Sequence, residues 1–223
     1  MSAAKSSWIR FSERFLSAIY PPTCALCGLD GTAAICEKCW EEIGSPVFEV
    51  QRHAQGDPLD FSVCLYHYGS RAGQAVRELK FHRKTSLAPM MAKELARAVD
   101  RLSLDDADFV APVPLHWRRR AIRGFNQSEL LCEALDAQKV RREAILIRHR
   151  HTKPQANLDY DDRMRNLSGA FTAFNCEGAR VLLVDDVLTS GQTARECART
   201  LKSAGAREVG GLFWCSSLNR VQS

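Results

Sequence analysis

The stretch from Arg180 to Glu196, R-V-L-L-V-D-D-V-L-T-S-G-Q-T-A-R-E, limits the folds open to this chain more than any other. Val181, Leu182, Leu183 and Val184 form an unbroken apolar run, the pattern of a strand buried on both faces of a parallel sheet. Two carboxylates follow, Asp185 and Asp186, and then the small, hydroxyl-rich loop Thr189-Ser190-Gly191-Gln192-Thr193. A helical pattern starts at once. It places Ala194, Cys197, Ala198, Leu201 and Ala204 on one face, with Gly205 as its stop.

A strand, a tight polar loop and a helix start make an anion site. The first N–H groups of a helix lack intrahelical partners, and the macrodipole adds partial positive charge there. Hydroxyls of Thr189, Ser190 and Thr193 add donors, and Gly191 lets the backbone come close. The loop therefore suits a phosphate monoester. Asp185 and Asp186 would repel a phosphate but accept charge-assisted bonds from hydroxyls. A phosphate beside vicinal hydroxyls describes ribose 5-phosphate.

Nine cysteines stand in the 223 residues, four of them in two C-x-x-C pairs, Cys24/Cys27 and Cys36/Cys39. Four thiolates can wrap one ion tetrahedrally, the arrangement of closed structural zinc sites. The eight residues between the pairs are fewer than the usual 15–20 or so, which makes a compact ribbon. So short a segment has no core of its own, and metal binding supplies its folding energy. Cys64, Cys132, Cys176, Cys197 and Cys215 show no paired spacing and read as buried or incidental thiols.

No apolar run approaches 18 residues, and the N-terminal segment has Lys5 but no apolar h-region, so a cytoplasmic protein without a transmembrane segment is expected. The net charge of +5 allows anionic ligands without demanding nucleic acid. It is unevenly spread. Residues 116–153 hold ten Lys/Arg against four Asp/Glu, leaving the remainder near neutral. Within that stretch lie Arg118, Arg119, Arg120 and Arg123, followed by Gly124 and Asn126 with their turn chemistry. Placed after the strand pattern D-F-V-A-P-V, this run suits a second anion such as pyrophosphate, which guanidinium binds in forked pairs. A nucleic-acid backbone is the alternative target.

The rest divides into three parts. Residues 1–21 carry an amphipathic helix with Trp8, Phe11, Phe15 and Ile19 on one face, residues 22–45 form the four-Cys module, and residues 46–223 form the main domain. Residues 46–61 read as a linker and Phe61 to Tyr68 as a strand. Two helical patterns run from Arg71 to Leu102, a small hood, with Lys80 between them reading as a solvated lysine and contact with an anion the alternative. Trp117 and Phe125 read as core residues, with stacking on bases the alternative. The polar excursion after Ile147 has the composition of a lid, with Thr152, Lys153, Gln155, Arg163 and Asn166 as its ligand contacts. The last strand is E-V-G-G-L-F-W-C.

V-L-L-V-D-D-V-L-T-S-G-Q-T resembles the signature of type I phosphoribosyltransferases, which bind phosphoribosyl pyrophosphate (PRPP). The order of Tyr20-Pro21-Pro22, the four cysteines, Leu79-Lys80-Phe81, P-V-P-L-x-W-R-R-R-x-x-R-G-F-N-Q, T-x-x-Q…R…N-x-x-G-A-F and this signature is similar to the bacterial ComF family, the ComFC/GntX-like proteins linked to DNA uptake and natural competence. The resemblance implies an α/β fold of the type I phosphoribosyltransferase kind, a parallel sheet flanked by helices with a small zinc module. It implies that Asp185 and Asp186 hold the ribose hydroxyls as the catalytic carboxylates and that Thr189 to Thr193 hold the 5′-phosphate. PRPP with magnesium is the expected ligand, transfer of ribose 5-phosphate to an acceptor the expected reaction, and single-stranded DNA or a DNA-uptake helicase a possible partner. A non-catalytic PRPP sensor is the other reading of the same features.

Overall fold

In the computed structural model the described residues are 22–31, 34–133, 135, 141–142, 145–149 and 169–218. The amphipathic segment 5–19 and the lid contacts Thr152, Lys153, Gln155, Arg163 and Asn166 lie outside them.

The apolar run forms the longest strands at the centre of a six-stranded sheet. In chain order the strands are β1 (Gln51–Arg52), β2 (Phe61–His67), β3 (Phe109–Pro112), β4 (Arg141–Arg142), β7 (Arg180–Leu188) and β8 (Glu208–Ser216). A separate antiparallel pair holds β5 (Leu146–Arg148) and β6 (Phe171–Ala173). The main sheet runs β1-β2-β8-β7-β3-β4 in space, and every pairing is parallel except β1 with β2. The expected α/β fold with a parallel sheet is therefore present. The segment read as a linker instead adds β1 to the edge, where a short strand exposes few unpaired backbone groups.

Both faces of the sheet are covered, which is why β7 and β8 are near-continuously apolar. Alternate residues divide between the faces. Val63, Val110, Leu182, Val184, Leu212 and Trp214 pack with helices α2 (Arg71–His82), α3 (Ala88–Arg101) and α5 (Gln127–Cys132). Ala111, Val181, Leu183, Val209 and Phe213 pack with α6 (Gln192–Ser203) and the β5–β6 pair. Met91 is fully buried and Met90 packs beside it, as core methionines do.

The first helix, α1 (Glu37–Ile43), belongs to the cysteine module, and its Ile43 and Trp40 pack into the same cluster as α2 and α3. The module is thus seated on the main core. Arg71 Nε donates to Glu42 Oε2 at 2.7 Å, and Gln74 Nε2 donates to the Leu26 carbonyl at 3.1 Å.

The connections fix where a ligand can enter. After β3 the chain moves outward to β4, and after β7 it moves the other way through α6 to β8. The crossovers diverge between β3 and β7, opening a crevice at the carboxyl ends of these neighbouring strands, the usual binding place in open α/β sheets.

Candidate functional site

A cleft of about 830 Å³ opens at that divergence. Asp185, Asp186 and Val187 from β7 line it, with Thr189, Ser190 and Thr193 from the loop and first turn of α6. From the opposite side come Val113, Pro114 and Leu115 after β3, Arg119, Ile122 and Arg123 from helix α4 (Trp117–Arg123), and Gln127 from α5. Lys80 and Phe81 enter from α2, and Arg148 from β5. Five cationic side chains (Lys80, Arg83, Arg119, Arg123 and Arg148) thus face two carboxylates, a surplus that suits a polyanion.

The loop is held from behind. Gly191 has φ of 74°, left-handed backbone, and caps α6, with no side-chain cap bond to the helix start among the described residues. Arg195 Nη1 donates to the Ser190 carbonyl at 3.1 Å, and its Nε is held by Asp57 Oδ2 at 2.9 Å. Asp57 in turn accepts the Leu59 N–H at 3.1 Å. A strut from the β1–β2 connection therefore sets the loop's shape. Gln192 is buried, and its side-chain amide finds no partner among the described residues.

The carboxylates differ. Asp186 is 1% exposed, and its Oδ1 lies 2.8 Å from Lys80 Nζ. Asp185 is half-buried, and its Oδ1 accepts from Ser128 Oγ at 2.7 Å and from the Asp186 N–H at 2.9 Å. Burial and then the Asp186 charge push the Asp185 carboxyl up to about 7, against Lys80 and Ser128, which pull it down. Burial works against the Lys80 charge, but Asp186 and Asp185 outweigh it and hold the ammonium above its ordinary value. The sequence reading of Lys80 as a solvated lysine is corrected here, because the end of α2 turns it into the cleft.

The basic run is resolved into two pairs. Trp117–Arg123 forms a helix, which Gly124 ends with φ of 89°. A helix spreads its side chains around its axis, so the four arginines do not share one face. Arg119 and Arg123 line the cleft, and Arg123 bonds Gln127. Arg118 lies over the Trp117 ring at 5.2 Å, and Arg120 pairs with Glu129 at 2.7 Å. Trp117, expected in the core, is 61% exposed, whereas Phe125 packs against the core.

Ser128 is a site residue that the sequence reading passes over. Asn126 caps α5, accepting the Ser128 N–H at 3.2 Å, and its Nδ2 donates to the Val113 carbonyl at 3.2 Å. This fastens α5 to the end of β3 and delivers Ser128 to Asp185. The run N-Q-S-E has a capping-box pattern, which signals the helix start but not the hydroxyl's target. Arg148 also reaches the cleft unannounced, carried by a three-residue strand.

The cysteines form a second centre. Sγ atoms of Cys24, Cys27, Cys36 and Cys39 all lie within 4.8 Å of one another, and those of Cys27 and Cys36 are 3.6 Å apart. Four sulfurs about 2.3 Å from one zinc ion would stand roughly 3.8 Å from each other, so the residues fit that metal. Burial raises the Cys24 thiol, but backbone N–H groups of Cys36, Cys27 and Leu26 outweigh it and lower the thiol to about 6, whereas burial and the neighbouring thiols hold Cys39 above its ordinary value. With four protein ligands the site is closed, a structural rather than a catalytic arrangement.

Residues 15–52 match the family described as "Double zinc ribbon domain", and residues 147–216 match "Phosphoribosyl transferase domain". Over 208 residues the chain is 32% identical to the DNA utilization protein YhgH of Salmonella typhi, covering 86% of this chain and 88% of the relative. It is 30% identical over 203 residues to Competence protein F of Haemophilus influenzae, covering 78% and 87%. It is 27% identical over 186 residues to Competence protein ComFC of Bacillus subtilis, covering 82% and 72%. The cluster and the ribbon match together support structural zinc. Among the described residues no helix is long and apolar enough to cross a membrane.

Proposed function

The chain belongs to the ComF family, and on that premise we propose that it binds PRPP in the cleft between β3 and β7 and transfers ribose 5-phosphate to an acceptor, releasing pyrophosphate. One observation carries the reading: two carboxylates, an open helix start and the guanidinium groups of Arg119 and Arg123 converge on one cleft. Thr189, Ser190 and Thr193 bind the 5′-phosphate through hydroxyls, and Gly191 and Gln192 through backbone N–H groups. Asp185 and Asp186 accept the ribose hydroxyls and offset positive charge building at the anomeric carbon. Arg119 and Arg123 neutralise the pyrophosphate, with Arg118 and Arg120 adding to the field from behind.

In the reaction the bond from the anomeric carbon to pyrophosphate oxygen breaks, and the oxygen keeps the electron pair. A bond from the acceptor's nucleophilic atom to that carbon forms, and the acceptor releases its proton. Magnesium bound with the substrate would supply further charge neutralisation at the pyrophosphate. The segment holding Thr152, Lys153, Gln155, Arg163 and Asn166 would cover the cleft and keep out water. The names of the relatives, a DNA utilization protein and two competence proteins, support a role in DNA uptake or use. Pyrophosphate release from PRPP, assayed against pools of small-molecule acceptors, tests the reaction. Release by the wild type and its loss in Arg119→Ala/Arg123→Ala are expected. Release that persists in the variant would overturn the assignment of these arginines.

A second reading draws on the exposed rim. Phe81 and Arg119 line the cleft, Phe81 is 68% exposed, and on the same helix as Arg119 the 61% exposed Trp117 carries Arg118 over its ring. Aromatic faces among cations suit single-stranded DNA, and the chain would then be a PRPP-sensing adaptor for DNA or a DNA-uptake partner. Its affinity for oligonucleotide should fall steeply with salt, and no acceptor should be consumed.

A further inference from the structure

Two carboxylates on consecutive residues at the wall of one cleft repel each other, and burial leaves little water to screen them. The groups facing them come from six elements: Lys80 from α2, Arg119 and Arg123 from α4, Ser128 from α5, Arg148 from β5, Cys197 from α6 and Cys215 from β8. Lys80 is the cation set directly on the pair. Its side chain is 21% exposed and that of Asp186 2%, with 2.8 Å between Nζ and Oδ1. The second oxygen of Asp186, Oδ2, is buried without a hydrogen-bond partner among the described residues. Lys80 also lies at the far end of the helix whose first turns grip the cysteine module, outside the segment that matches the phosphoribosyltransferase family.

We infer that Lys80 is a positioning residue for ribose recognition: its ammonium commits Asp186 Oδ1 and supplies the counter-charge that lets Asp185 give up its proton beside Asp186 near neutral pH. The inference rests on the PRPP reading of the cleft. Its physical basis is the balance at Asp185. Burial and the Asp186 charge favour the protonated acid there, and Lys80 opposes them. Removing the ammonium leaves Asp186 charged with no ion-pair partner at Oδ1 and tips Asp185 towards the neutral form, a poorer acceptor for ribose hydroxyls. An arginine at the same place keeps the charge; a methionine keeps the volume alone.

The test uses zinc-loaded, full-length protein with two readouts. Carboxyl-carbon NMR follows the titration of Asp185 without ligand, and calorimetry follows PRPP binding with magnesium from pH 6 to 9. Lys80→Met should raise the Asp185 midpoint by about one to three pH units. It should weaken PRPP binding about tenfold at pH 7, with the loss shrinking as pH rises, and Lys80→Arg should restore both. Should Lys80→Met fail to fold, the comparison moves to the Asp186→Asn background, which strands no charge. There, adding Lys80→Met should still raise the Asp185 midpoint. An unmoved midpoint in both backgrounds overturns the inference, as does PRPP affinity lost equally at every pH. Failure of the wild type to bind PRPP would instead sink the reading of the cleft, and the ligand-free titration would still judge Lys80.

Discussion

Asp185 shows how a buried position turns one residue into a pH-dependent feature. Its carboxyl is raised from the ordinary 3.8 to about 7, first by burial and then by Asp186. The native protein therefore holds a proton there that the unfolded chain has lost. The stabilisation is full below about pH 4 and disappears as pH rises through 7. Between pH 5 and pH 8 this amounts to about 2–3 kcal/mol. Urea unfolding of wild type and Asp185→Asn at the two pH values isolates it, because the other groups cancel in the difference. The variant should gain about that much relative to wild type at pH 8; a difference independent of pH would mean that Asp185 titrates normally.

Gly191 makes a second prediction at the same scale. At φ of 74° an added Cβ is strained, and it would also stand 2.5 Å from Arg195 Nη1. Gly191→Ala should cost about 1–2 kcal/mol and dislodge the arginine that braces Ser190. Thermal melts and phosphate binding should weaken together; a melting point equal to wild type would show that the loop accommodates the methyl group.

At the scale of elements, α2 links two centres that the sequence keeps apart. Its first turns bind the cysteine module through Arg71 and Gln74, and its last turn delivers Lys80 to Asp186. Chelating the zinc should unfold the module and loosen the grip on α2. PRPP affinity should then fall several-fold although no cysteine lines the cleft, and should return on adding zinc. Unchanged affinity in the metal-free protein would show the two centres to be independent. A reading of sequence alone could not find this link. The periodicity of Ala72, Ala75, Val76 and Leu79 identifies the helix and its buried face, but Lys80 follows Leu79 as any surface lysine might. Its role depends on the direction in which α2 leaves the sheet. For the same reason the arginine run was legible as charge and not as geometry. Whether Arg119 and Arg123 or Arg118 and Arg120 face the cleft depends on a helical turn that Gly124 and Pro114 frame.

For the whole molecule, the features legible in sequence were those with local causes. Four apolar residues followed by two aspartates, a glycine loop and an amphipathic helix specify β7, the loop and α6 wherever they stand in the chain. Two C-x-x-C knuckles specify the cluster in the same way. The site's other wall was not legible, because Ser128, Lys80 and Arg148 arrive from separate elements brought together only by the strand order β2-β8-β7-β3. That order also explains why the cleft opens where it does, at the point where connections from β3 and β7 part.

The most direct test of the account is calorimetric titration of zinc-loaded protein with PRPP and magnesium, alongside Asp185→Asn/Asp186→Asn. Hydrogen bonds to charged groups are worth about 1.5–3 kcal/mol each, so losing two should nearly abolish binding. Saturable binding by the wild type and almost none by the variant is the predicted result. Wild-type protein that takes up no PRPP, or a variant that binds it equally well, would contradict the assignment of this cleft to a ribose phosphate.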